Sequence, residues 1–203
     1  MPRREYGFPL IIGTLVLVLI LTVAVVSAYW PKYEERFFEL ALLGKDKKAE
    51  SYFPNKNSTI EKNSPLLWYI YLHNHMGSDQ PVLVRVKLLN STMPIPDDLN
   101  HTASLRYPFI EFPVVLSTDE TIQIPFSWSI LEAVPQNGSI VMMVNNDPVM
   151  VDVTSFSDNR LRMVFELWVY NPFTDLYEFG WDSGKEYYST SVYMWFSLAL
   201  DAS

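Results

Sequence analysis

Two of the three histidines in this 203-residue chain, His73 and His75, stand one residue apart in "LHNHMGSDQ" (72–80). On an extended strand, residues two apart share a face. Such an H-x-H pair offers two imidazoles to zinc or copper, with a third donor to come from His101, a carboxylate or a methionine. The competing reading is a strand running into a turn, with His75 bonding the turn and Gly77 supplying a positive φ. We read the stretch as strand and turn, with His73 and His75 as the candidate metal pair and no cofactor expected. "HNH" is not read as a nuclease label, because a net charge of −8 disfavours phosphate and no ββα-metal pattern surrounds it.

Other groupings carry less. Asp97, Asp98 and Asn100 can offer oxygens to calcium, but the spacing is not that of a regular calcium loop, and adjacent carboxylates in a proline-rich loop are ordinarily solvated. Glu111 and Glu166 can in principle form an acid–base pair. Both sit inside strand patterns, and Glu166 is expected to face outward, so that its replacement by lysine is silent. Without cysteine, and without a nucleophile elbow, phosphate loop, zincin helix or Rossmann fingerprint, an enzyme is not expected. The segment 170–188, "YNPFTDLYEFGWDSGKEYY", crowds aromatics around turns. Tyr177, Trp181 and Tyr187 are its candidate interaction residues, for a protein partner or for stacking on carbohydrate. The alternative is that these rings cap the core.

The elements that must position these side chains read as strands. Val82, Val84, Val86 and Leu88 alternate with Arg85 and Lys87. Leu161, Met163, Phe165, Leu167 and Val169 form a second apolar row, and Val192, Met194, Phe196, Leu198 and Leu200 a third. Each pattern predicts one buried and one exposed face. Shorter candidates are 37–43, 66–74, 109–116, 121–126, 140–144 and 149–153. Turn formers at 77–79, 94–98, 136–138 and 182–184 separate some of them. Eight to ten short strands predict an all-β domain over 37–203, an antiparallel β-sandwich with immunoglobulin-like layout.

Ahead of it, residues 8–30 are 23 residues without a charge. A helix of that length spans about 35 Å, enough for a bilayer core of about 30 Å. Arg3 and Arg4 precede it, and Tyr29 and Trp30 close it as interfacial aromatics. The reading is a cytoplasmic tail (1–7), a lipid-embedded anchor (8–30), a linker (31–36) and an extracellular domain. A signal peptide cleaved after "VSA" (26–28) is the alternative, although signal cores are shorter. Asn57, Asn90, Asn100 and Asn137 each open an N-x-[ST] acceptor, which suits a glycosylated outer domain.

The order "FFELALLGKDKKAESYFP", "LLWYIYLHNHMGSDQPVLVRVKLL", "LRMVFELWVY", "YMWFSLAL" resembles the domain of unknown function 1616 family of archaeal membrane proteins. The resemblance implies an outer domain in which Asn74-His75 sits on a turn, "VLVRVKLL" returns from it, and the last two segments close a hairpin. Many relatives carry several spans where this chain has one, so it implies nothing about functions housed in the missing spans. It brings no activity. The expected function is non-catalytic: protein–protein interaction in the cell envelope, as an accessory or structural subunit of a membrane complex. The alternative is a carbohydrate or metal binder. No nucleic-acid partner is expected.

Overall fold

The computed structural model describes residues 7–29, 35–134, 137–153 and 159–199. Arg3, Arg4, Trp30, Lys32, Gln136 and Leu200 lie outside them. The chain divides into two compact units, residues 1–34 and 35–203.

The first unit holds one helix, α1 (Gly7–Tyr29). Side chains of α1 are described for residues 12–27, all exposed and uncharged. Over the described residues, no helix is long and apolar enough to cross a membrane.

The second unit is β throughout. In chain order its strands are β1 (Phe38–Leu43), β2 (Thr59–Ile60), β3 (Leu66–Asn74), β4 (Gln80–Asn90), β5 (Ile110–Leu116), β6 (Thr121–Val134) and β7 (Ser139–Val144). They continue with β8 (Asp147–Asp152), β9 (Arg160–Asn171), β10 (Leu176–Phe179), β11 (Trp181–Asp182), β12 (Tyr187–Tyr188) and β13 (Ser191–Leu198). One sheet has the order β1-β3-β6-β7-β8; the other has β2-β13-β9-β4-β5, with β10 on β9. Strands β11 and β12 form a small hairpin.

The sequence had predicted most of these strands to within two residues. β6 runs eight residues past its predicted end, through a bulge between Ile130 and Glu132. Alternation itself continues through Phe126, Trp128 and Ile130, and only beyond Ile130 does the bulge break it. The β7–β8 hairpin turns on Asn145-Asn146, both at positive φ (49° and 73°), as a two-residue type I′ loop requires. The all-antiparallel expectation fails at one pair, because β2 runs parallel to β13.

Strands β1, β3 and β6, extended by β7 and β8, form one layer of a β-sandwich, and β5, β4, β9 and β13, with β2, form the other. In antibody domains a disulfide crosses the gap between the two sheets. Here, in a chain without cysteine, aromatic rings fill that gap. Trp68 and Phe165 have centroids 6.4 Å apart, and Phe126 meets Phe165 edge-on at 5.4 Å. Trp128 packs on Phe196 at 5.1 Å. The predicted inner rows of β4 and β9 are buried in this core.

Much of the predicted outer face of the second sheet is covered, and here the sequence reading is corrected. Lys87, Leu89, Arg162, Val164 and Glu166 are all buried. Residues 91–109 form a long connection lying over that face. It is held by Ser104 on Glu166, by Asp98 on Ser191, and by the Arg162 guanidinium donating to the carbonyls of Ser91 and Met93.

Candidate functional site

Register brings the first site together. β1 pairs with β3 so that Glu39 lies opposite His73. The pairing continues one step further, with the His75 N–H donating to the Phe37 carbonyl at 2.9 Å. Period-2 alternation then sets Phe37, Glu39, His73 and His75 on one face, away from the core row of Trp68, Ile70 and Leu72. The rings stack as a column, Phe37 on His75 at 4.3 Å and His75 on His73 at 3.8 Å. His75 Nε2 is 3.1 Å from Glu39 Oε1.

His73 Nε2 is inaccessible and has no hydrogen-bond partner among the described residues. An unmatched buried polar atom costs about 1–3 kcal/mol. The donor atoms of Glu39, His73 and His75 all lie within 4.8 Å of one another. Among the described residues this is the one group of three histidine or carboxylate donors so placed. The sequence singled out both histidines but not Glu39, because its pairing with His73 depends on the β1–β3 register.

The strand-and-turn reading of the same stretch is also met. Gly77 has φ +72°. The turn's anchor, however, is Asn74, which is wholly buried. Its Nδ2 donates to the carbonyls of Ser78, Leu116 and Ser117 at 2.9–3.1 Å, and its Oδ1 accepts the Met76 N–H. His101 makes no contribution to the Glu39 group; it contacts Ser189 and the Tyr187 ring.

The remaining candidates separate. Glu111 pairs with Arg85 at 2.8 Å, while Glu166 pairs with Lys87 at 2.7 Å, so the two carboxylates are held by different partners. The Lys87–Glu166 pair is 3% and 0% exposed. Glu166 also accepts from the Ser104 N–H and hydroxyl and from Trp168 Nε1. Burial pulls the Lys87 ammonium below its ordinary range, and the Glu166 carboxylate opposes that shift. Asp97 is occupied by the Leu99 and Asn100 N–H groups and Asn100 Nδ2, and Asp98 by Ser191, so their oxygens do not converge on a calcium position.

Three acceptor asparagines, Asn57, Asn100 and Asn137, are exposed. Asn90 is 2% exposed and its Nδ2 donates to the Val153 carbonyl, so the folded domain does not present it for glycosylation.

The aromatic turns divide likewise. Trp181 is a core residue, edge-on to Phe38 at 5.1 Å with Nε1 on the Arg36 carbonyl. Here the capping alternative holds. Tyr187 is part-exposed and Tyr177 half-buried against Tyr170 at 5.7 Å. Phe173, an aromatic of the same segment but not one of its three interaction candidates, is 97% exposed at the tip of the β9–β10 hairpin. Beside it lies a cleft of about 390 Å³ whose lining includes Arg36, Tyr170, Phe173, Glu178 and Tyr187.

No family model matches the chain, and no curated protein matches it. A crystal structure of the CARDB domain of a Pyrococcus furiosus protein, in complex with di-metal ions, is similar over 82% of this chain and 96% of that chain. Identity is 10% and the TM-score 0.38. A likeness of that degree assigns no role to any residue.

Proposed function

We propose that the chain is a non-catalytic, single-span envelope protein whose outer β-sandwich docks a protein partner, as an accessory or structural subunit of a membrane complex. The observation that carries the docking is the β9–β10 hairpin tip. Phe173 is almost fully solvated there, beside exposed Leu176 and the cleft lined by Tyr170 and Tyr187. A fully exposed phenylalanine forfeits about 1.5–3 kcal/mol of burial energy, which a partner's pocket recovers. Aromatic side chains are also the anchors that dominate binding energy.

The anchor rests on the uncharged run 8–30 and on α1. Within α1, the Thr22 and Ser27 hydroxyls donate to the Val18 and Ala24 carbonyls, so neither needs water. Exposed Asn57, Asn100 and Asn137 suit a domain outside the cell. The segments resembling the family of unknown function 1616 fall on β1, β3, β4, β9 and β13.

The test is a photo-crosslinking residue in place of Phe173, with Gln123 as the control position, in native membranes. One discrete adduct at Phe173 and none at Gln123 is expected, and Phe173→Asp should release the chain from its complex on a native gel. Equal adducts at both positions, or a chain that migrates alone, overturn the docking reading. Extraction by alkaline carbonate, or a mature chain beginning near Tyr29, overturns the anchor.

A further inference from the structure

We propose that Glu39, His73 and His75 form a site for a divalent transition ion of the zinc and copper class, clasping the edge strand β1 to β3. The His75–Glu39 hydrogen bond explains the 3.1 Å contact but leaves His73 Nε2 inaccessible and unmatched beside it. One ion accounts for all three atoms at once. Donors bound at ~2.0–2.2 Å to a tetrahedral ion lie about 3.3 Å apart. The His75–Glu39 pair is close to that separation at 3.1 Å, and no donor of the group lies more than 4.8 Å from another.

The donor set chooses the metal. Two imidazoles and a carboxylate suit zinc or copper, whereas calcium and magnesium take oxygen shells. Glu39 lies on the sheet edge with its side chain 45% exposed, so the fourth position opens to water or to a donor from outside. The Phe37 ring, stacked on His75, fixes the imidazole from its other side. This site shares no residue with the Phe173 cleft, and neither proposal depends on the other.

The experiment uses the full chain in mild detergent, stripped with chelator and titrated calorimetrically with ZnCl2 at neutral pH. Saturable uptake of one Zn2+ per chain is expected. His73→Gln and Glu39→Gln should each weaken it at least tenfold with an unchanged circular dichroism spectrum, while His101→Gln leaves it intact. Cu2+ in place of Zn2+ should show two coordinated nitrogens by electron paramagnetic resonance, and one in His73→Gln. Absence of saturable uptake, or uptake that survives either His73→Gln or Glu39→Gln, overturns the site. So does equal loss in His101→Gln. Glu39 is exposed, so its variant keeps the test open even where a histidine change disturbs folding.

Discussion

At the scale of single residues, the sharpest revision concerns Glu166. Alternation places it opposite Phe165, and that is correct, yet the face it occupies is covered. Glu166→Lys sets two ammonium groups against each other beneath residues 91–109 and leaves the Ser104 and Trp168 donors without an acceptor. Breaking a buried pair costs about 3–5 kcal/mol, and urea denaturation should show a loss of that order. A silent substitution would mean that the covering segment is not in place. Asp97 gives a pH test. Asn100 Nδ2, then the Asn100 and Leu99 N–H groups, hold its carboxyl below the ordinary carboxylate range. A depressed carboxylate contributes stability above its unfolded pKa and loses it as pH falls through the lower folded value. Wild type should therefore exceed Asp97→Asn slightly at neutral pH, and the two urea midpoints should converge in acid below about pH 4.

At the scale of elements, the β3–β4 turn is governed by its asparagine more than by its glycine. Gly77 has φ +72°, but a Cβ there meets nothing within 4 Å. Gly77→Val thus costs only the left-handed conformation, about 1–2 kcal/mol. Asn74→Ala removes the donors that tie this turn to the end of β5, leaving buried carbonyls unmatched at about 2–3 kcal/mol or more. Thermal melts should rank Asn74→Ala below Gly77→Val. The reverse order would place the turn's stability in its backbone strain. Gly44 follows a different rule: a Cβ there would lie 2.0 Å from the Glu50 carbonyl oxygen, so close backbone approach demands glycine.

At the scale of the β unit, two sheets share one aromatic core with no covalent cross-link. Phe165 touches Trp68 and Phe126 across the gap between sheets. Phe165→Asp puts a charge where no partner exists, a change that exceeds the marginal stability of a domain. The variant should lack near-ultraviolet ellipticity and be degraded by protease under conditions in which wild type survives. A folded, resistant variant would refute the sandwich core.

What the sequence by itself determined is what period-2 alternation can encode: strand positions, the inner rows of β4, β9 and β13, and the shared face of His73 and His75. These depend on residues a few positions apart. The tertiary structure alone decided what depends on distant segments meeting. Glu39 joins the histidines because β1 registers on β3 across an interval of more than thirty residues. Lys87 and Glu166 are buried because residues 91–109 cross a face that alternation marks as outward. Asn90 is withdrawn from glycosylation by the Val153 carbonyl, and Trp181 from docking by Phe38. Alternation distinguishes the two faces of a strand; it carries no information on which loops later cover them.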